Sequence, residues 1–280
     1  MEFWLLMNAL LKANSAKLAG PLSPDSNFSG KEAISCSSYE VTMSYQPYDK
    51  LPGGFSTTDG TIDFYLRIKS ILTSSDILLD MGAGRAGWYE DDECEIRKNI
   101  RFMKGNTFRV IAADIDEVVL ENKASDEQIV MKDGRLDLPE GSVDLVVADY
   151  VLEHIENPRD FVGQISLVLK KGGWFCARTP HKYSYVALIA SLLENSKHPK
   201  WLRKVQPGRK EIDVFPTSYK LNTMSDLTSH FGSWTNHSFL FQSDPSYFFG
   251  NRLLFKVQLF LHKILYREFS ANIFVFFQKN

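Results

Sequence analysis

The spacing of apolar positions changes character twice along the chain. Ile62, Tyr65, Leu66, Ile68, Ile71 and Leu72 recur every three or four residues, the pattern of a helix with one buried face. Thr58 or Asp59 stands where its N-cap belongs. From residue 77 the pattern becomes a series of short, continuously apolar runs: Ile77–Met81, Phe108–Ala113, Gln128–Met131, Val143–Ala148 and Trp174–Ala177. Helix-like segments separate them at Arg97–Met103, Val118–Lys123 and Phe161–Leu169, the last expected to stop at Gly172-Gly173. Short apolar runs without alternation predict parallel strands covered on both faces, and right-handed crossovers wind them into a doubly wound α/β sheet. After Pro180 the pattern lapses. Residues 181–230 read as helical or irregular, Ser238–Phe241 and Asn272–Phe277 as strands, and Arg252–Leu265 as an amphipathic helix. Upstream, residues 1–18 read as a short helix and residues 19–56, rich in Ser, Pro, Gly and Tyr, as a loop or lid.

Three segments follow from this pattern: 1–57 as helix and lid, 58–180 as the α/β core, and 181–280 as a helical region with strands that complete the sheet. A length of 280 residues with 44% hydrophobic and 24% charged residues fits one large globular domain with an appendage. Cys36, Cys94 and Cys176 are far apart, with no paired spacing, which argues against a disulfide framework or zinc ribbon and fits a reducing compartment. The apolar run Phe3–Leu11 is too short to span a bilayer, and Glu2 stands where a signal peptide has positive charge. The expectation is a cytoplasmic protein, with the inner membrane surface as a further candidate location.

Charge adds a second division. Residues 1–177 hold 18 Lys or Arg against 28 Asp or Glu, whereas residues 178–280 hold 14 against 6. Eleven of the 20 Phe fall in residues 231–280. A basic rear half suggests an anionic partner there.

The predicted strands end in chemistry. Asp80, Asp114, Asp133 and Asp149 sit at or near successive strand ends, where ligands of an open parallel sheet collect. Gly82-Ala83-Gly84-Arg85-Ala86-Gly87 fits a phosphate-cradling glycine turn, yet Asp114 lies 30 residues past Gly84, longer than the roughly 20 typical of dinucleotide sites. Glu90, Asp91, Asp92, Glu93 and Glu95 crowd the helix start, where a pyrophosphate would bind.

Residues 79–87 resemble motif I of the class I S-adenosylmethionine-dependent methyltransferases. Residues 110–116 look like that family's second strand with its ribose-binding acid, and 133–139 like its adenine-binding turn. Residues 142–155 resemble the fourth strand and the Val-Leu-Glu-His signature of the small-molecule and glycan branch, and 167–173 the turn into strand five. The resemblance implies a Rossmann-like, mostly parallel seven-stranded sheet with an antiparallel last strand and a helical acceptor-side insertion. It implies S-adenosyl-L-methionine as cofactor, held by Asp80, Gly82, Ala83, Gly84, Asp114, Ile115, Asp133, Gly134, Arg135, Asp149 and Tyr150. In that scheme Asp114 accepts both ribose hydroxyls, Asp133 accepts from the adenine amino group, and Asp80 orients the cofactor's amino group.

The implied reaction is methyl transfer to a small-molecule or glycan-type acceptor, with oxygen the favoured atom and polysaccharide biosynthesis the expected setting. His154 and His181 are the candidate bases, each with a packing role as the alternative. No metal site is expected from six scattered His. The basic stretch Lys197, Lys200, Arg203, Lys204, Arg209, Lys210 is the candidate contact for an anionic acceptor or a membrane surface; the apolar stripe of the helix at 252–265 is expected to pack on the core, with contact at a membrane interface as the alternative, and nucleic acid is not expected. An NAD(P)-dependent oxidoreductase and a non-catalytic binding subunit with the same fold remain as alternatives.

Overall fold

The computed structural model describes residues 47–48, 51–185, 187, 217–245, 248, 250–265 and 267–280. The expectations for residues 1–18, for nearly all of 19–56 and for the basic stretch at 197–210 lie outside them.

Helix α1 (Gly60–Ile71) begins where the apolar spacing places it. The Asp59 carboxylate caps it, accepting from the Thr61 and Ile62 amides at 2.9 and 3.0 Å. Phe64, Tyr65 and Ile68 form its buried face with Ile62 at the edge, whereas Leu66, expected in the apolar stripe, is 51% exposed because Phe64 and Ile68 rather than Leu66 face the sheet. Strands β1 (Ile77–Met81), β2 (Arg109–Asp114), β3 (Glu127–Val130), β4 (Val143–Asp149) and β5 (Leu169–Pro180) pair in parallel in the order β3-β2-β1-β4-β5. Strand β8 (Asn272–Gln278) then lies antiparallel against β5. Chain order therefore reverses direction between β1 and β4, which is where a doubly wound sheet opens a crevice for ligands.

Among the described residues the sheet has eight strands where seven were expected. The difference lies at one edge. β6 (Thr235–Asn236) and β7 (Phe239–Phe241) both run antiparallel along the same side of β8. They are separated at His237-Ser238, where the Ser238 hydroxyl rather than a backbone carbonyl accepts from the Phe276 amide at 3.0 Å. The seventh sheet position is filled by one interrupted strand.

Two other expectations are corrected. Gly172-Gly173 does not stop a helix. Helix α4 (Pro158–Val168) has already ended, and both glycines lie inside β5. They answer to the sheet: Gly172 donates to the Lys279 carbonyl at 2.8 Å, and a Cβ on Gly173 would come within 2.8 Å of the Asp144 carbonyl oxygen. Val118–Lys123 forms only a 3-10 turn, Glu117–Glu121, capped by Asp116. Two adjacent β-branched residues favour helix poorly, and the Asn122 side chain ends the turn by accepting from the Ala124 amide. The helix after the glycine turn is likewise broken, into α2 (Gly87–Asp91) and α3 (Glu95–Arg101).

Both sheet faces are covered. One carries Leu79, Val146, Phe175, Val275 and Phe277 beneath α4 and α5 (Met224–His230). The other carries Leu78, Val110, Val147, Cys176 and Phe274 beneath Phe64, Tyr65 and Ile68 of α1. Burial on both faces is why these strands read as unbroken apolar runs. Helix α6 (Arg252–Ile264) leads into β8.

Candidate functional site

The glycine turn joins β1 to α2 at the switch point. Gly82 has φ +67°, and a Cβ there would lie 2.5 Å from Cγ2 of Val151, so both backbone conformation and space require glycine. Its amide donates to the Ala113 carbonyl at 2.7 Å, tying the turn to the end of β2. Gly84 (φ +49°) donates to Asp114 Oδ2 at 2.9 Å, and its carbonyl accepts from Asn122 Nδ2 at 3.0 Å. A Cβ on Gly84 would meet nothing within 4 Å, so this side of the turn faces open space.

Asp114 accepts one backbone N–H on each oxygen, from Gly84 and, at 3.0 Å, from Asp116. Each oxygen keeps a second acceptor position, so the carboxylate is fixed in orientation and still able to receive two donors. Ile115, next in the chain, is 61% exposed. An apolar side chain that open beside a strand-end acid offers a flat ligand a contact surface. Beyond β3, Asp133 (φ +52°) and Gly134 (φ +68°) form the centre of a tight turn closed by the Arg135 amide on the Lys132 carbonyl, the conformation an Asp-Gly pair favours. Gln164 of α4 holds this turn, accepting from the Leu136 amide at 2.8 Å and donating to the Gly134 carbonyl at 2.6 Å.

Asp80 and Asp149 lie on the α1 face of the sheet. Asp80 lines a cavity of about 20 Å³ with Tyr65, Trp88 and Arg101. Burial, reinforced by the charges of Asp149 and Asp114 against that of Arg101, pushes its carboxyl up to about 7. Asp149 has its ligands already. Arg178 grips it through Nε and Nη2 at 2.8 and 2.9 Å, the Tyr65 hydroxyl donates at 3.2 Å, and Arg101 Nη2 lies 3.3 Å away. Burial opposes its ionisation, but Arg178 and Arg101 prevail and hold its carboxyl below the usual range. Arg101 stacks over Trp88 at 4.5 Å, and its Nε is buried without a hydrogen-bond partner. Tyr150, at φ +59°, places its ring 4.7 Å from the Arg178 guanidinium.

The acids after the glycine turn are not an open anionic field. Glu90 pairs with Lys123, Asp91 with Arg85, Asp92 with Arg97 and Glu95 with Lys98.

The two candidate bases differ in setting. His154 closes a short 3-10 turn after β4 and is half-buried. His181 follows β5 and is buried, which holds its imidazole below the usual range. Its Nδ1 has no hydrogen-bond partner. Beside β5, Thr179 donates to Glu153 Oε2 at 2.8 Å and accepts from Asn222 Nδ2 at 2.7 Å. Burial pushes the Glu153 carboxyl up to about 7.

The structure thus brings Asp80, Gly82–Gly84, Asp114, Ile115, Asp149 and Tyr150 to the same end of adjacent strands, with the Asp133–Arg135 turn beyond β3. It adds Arg101, Arg178, Tyr65, Asn122 and Gln164, which sequence reasoning missed. Arg178 carried a signal, a cation at the end of an otherwise apolar strand; Arg101 and Gln164 are ordinary helix-surface residues by pattern. Among the described residues no group of three or more His, Cys, Asp or Glu could hold a metal ion.

Residues 94–177 match a family model described as a methyltransferase domain. A protein of Mycolicibacterium smegmatis described as a "probable S-adenosylmethionine-dependent methyltransferase" is 35% identical over 81 residues, 28% of this chain and 32% of that one. The chain matches about a third of that curated relative's length. Among solved structures, a SAM-dependent methyltransferase from Aquifex aeolicus aligns at TM-score 0.45 and 12% identity over 79% of this chain and 89% of its own. One from Archaeoglobus fulgidus aligns at 0.46 and 15% over 78% and 92%. Part of this chain is thus similar to a methyltransferase domain and to an S-adenosylmethionine-dependent methyltransferase.

Proposed function

We propose that the chain transfers a methyl group from S-adenosylmethionine to a small-molecule or glycan-type acceptor, at oxygen. The observation that carries the cofactor assignment is Asp114: a carboxylate oriented by two backbone amides, with two acceptor positions left, beside a glycine turn that is open at Gly84. That pair of acceptor positions suits a ribose diol. The rest of the crevice suits the remainder of the cofactor. Ile115 supplies an apolar face and the Asp133–Arg135 turn polar edges for a base. Asp80, which a cationic amino group beside it would draw into ionisation, and the Arg101 guanidinium line one cavity and suit the two charges of an amino-acid zwitterion. The bound cofactor supplies an electrophilic methyl group on a sulfonium.

The work left to this chain is alignment. Gly82–Gly84 and Asp114 fix the donor, and in-line placement of the acceptor supplies most of the rate. Asp149 acts as a positioning residue, holding Arg178 and Arg101. A hydroxyl acceptor gains from a general base. His181 is our first choice, since burial keeps it neutral near pH 7 and its Nδ1 is uncommitted; His154 is the second. The Val151-Leu152-Glu153-His154 sequence supports the small-molecule and glycan branch.

The test is turnover: formation of S-adenosylhomocysteine when the protein is offered nucleotide sugars, lipid-linked glycans and small phenols. Product with one class, lost at neutral pH in His181→Ala, supports the reading. Cofactor binding without turnover on any class, or methylation at nitrogen or carbon, overturns the acceptor part of it.

A further inference from the structure

Helix α6 turns an apolar stripe outward. Leu254, Phe255 and Gln258 are buried, but Leu253, Phe260 and Ile264 are 60, 61 and 58% exposed. Their spacing puts the three on one stripe of the helix surface. Lys256 and Lys263, both exposed, share the adjacent stripe, and past the helix end Arg267 and Phe269 are exposed with the acidic Glu268 between them. Residues 252–267 hold four Lys or Arg and no Asp or Glu. No described helix is long and apolar enough to cross a membrane.

Burying such a stripe against the protein body would satisfy Leu253 and Phe260, and the described residues do not do so. Three side chains on a helix about 20 Å long fall well short of the roughly 800 Å² per partner of a stable protein interface. Parallel apolar and cationic stripes instead match the boundary of an anionic bilayer, where aliphatic and aromatic side chains enter beside the headgroups and lysine stems extend to the phosphates. The basic balance of residues 178–280, 14 cations against 6 anions, points the same way.

We propose that the exposed face of α6 docks the protein on an anionic lipid surface, with Leu253, Phe260 and Ile264 entering the headgroup–acyl boundary and Lys256 and Lys263 pairing with lipid phosphates. The contact lies outside the cofactor crevice and does not depend on the methyl-transfer reading.

The test is flotation of the full chain with unilamellar vesicles of phosphatidylcholine alone or mixed with phosphatidylglycerol, at low and high salt. The wild type is expected to float with the mixed vesicles only, and less at high salt. Phe260→Ser should weaken partitioning about tenfold, and the pair Lys256→Glu, Lys263→Glu by about 30-fold or more. Far-UV circular dichroism melts check that each variant folds; if Phe260→Ser does not, Leu253→Ser replaces it. A wild type that stays in the dense layer overturns the proposal, as do folded variants that float as well as it. Self-association abolished by Phe260→Ser, without vesicle binding, assigns the stripe to a second copy of the chain and also overturns it.

Discussion

The two halves of the sheet are built by different means. In β3-β2-β1-β4 most of the buried side chains on the strands are aliphatic, and the specific features sit at or past their ends: a glycine turn, Asp114, and an Asp-Gly turn, all fixed by hydrogen bonds to backbone groups. In β5-β8 with β6 and β7, order comes from rings. Phe231 stacks between Phe175 and Phe277 at 5.0 and 4.6 Å, and Phe274 meets Phe64 and Phe241 at 5.4 and 4.2 Å. One half presents a crevice and the other a support. They meet at Arg178, which stands at the end of β5 and binds Asp149 at the end of β4.

That junction is where the comparison breaks most easily. Arg178→Met leaves Asp149 buried without its main partner, and an expected loss of about 3–5 kcal/mol of stability would show in urea unfolding. Phe231→Ala tests the ring-built half alone: a loss of about 3 kcal/mol or more is expected, with cofactor affinity kept if the folded protein is assayed. Gly82→Ala tests the crevice half. Strain at positive φ and the approach to Val151 should cost about 1–3 kcal/mol and abolish cofactor binding, so stability and binding separate between the two variants.

A subtler test uses Asp80. Its folded carboxyl titrates near 7, above the usual carboxylate value near 4, so between those values the native state holds a proton that the unfolded state has released. Stability of the cofactor-free protein therefore falls as pH rises through that window, with a slope of up to about 1.4 kcal/mol per pH unit per proton. Glu153 contributes in the same direction. Asp80→Asn should flatten the slope, read from melting temperatures between about pH 4 and 7. A slope unchanged in that variant would show that Asp80 is ionised when folded.

The same contrast explains what the sequence disclosed. The crevice was legible because its signals are local: Gly82 and Gly84 lie within five residues of Asp80, and Asp133 adjoins Gly134. The strands of the parallel half were legible because burial on both faces leaves continuous apolar runs. In the ring-built half the strands at 174–177, 238–241 and 272–277 were legible as well, but the ring contacts and the junction were not. Arg178 and Asp149 are 29 residues apart and Arg178 and Thr61 are 117 apart, and no periodicity encodes such a pair. Gly172-Gly173 misled because a glycine pair after a helix reads the same whether it ends the helix or admits a neighbouring backbone. The split of the edge strand at His237-Ser238 depends on a single hydroxyl replacing a backbone acceptor.

The central claim is that the crevice between β1 and β4 is built for S-adenosylmethionine with Asp114 as its anchor. Isothermal titration of that compound into the wild type and into Asp114→Ala tests it directly. The account predicts saturable binding to the wild type, in the micromolar range, and none to a folded Asp114→Ala. Equal binding to both, or a folded wild type that binds NAD and not S-adenosylmethionine, would contradict it.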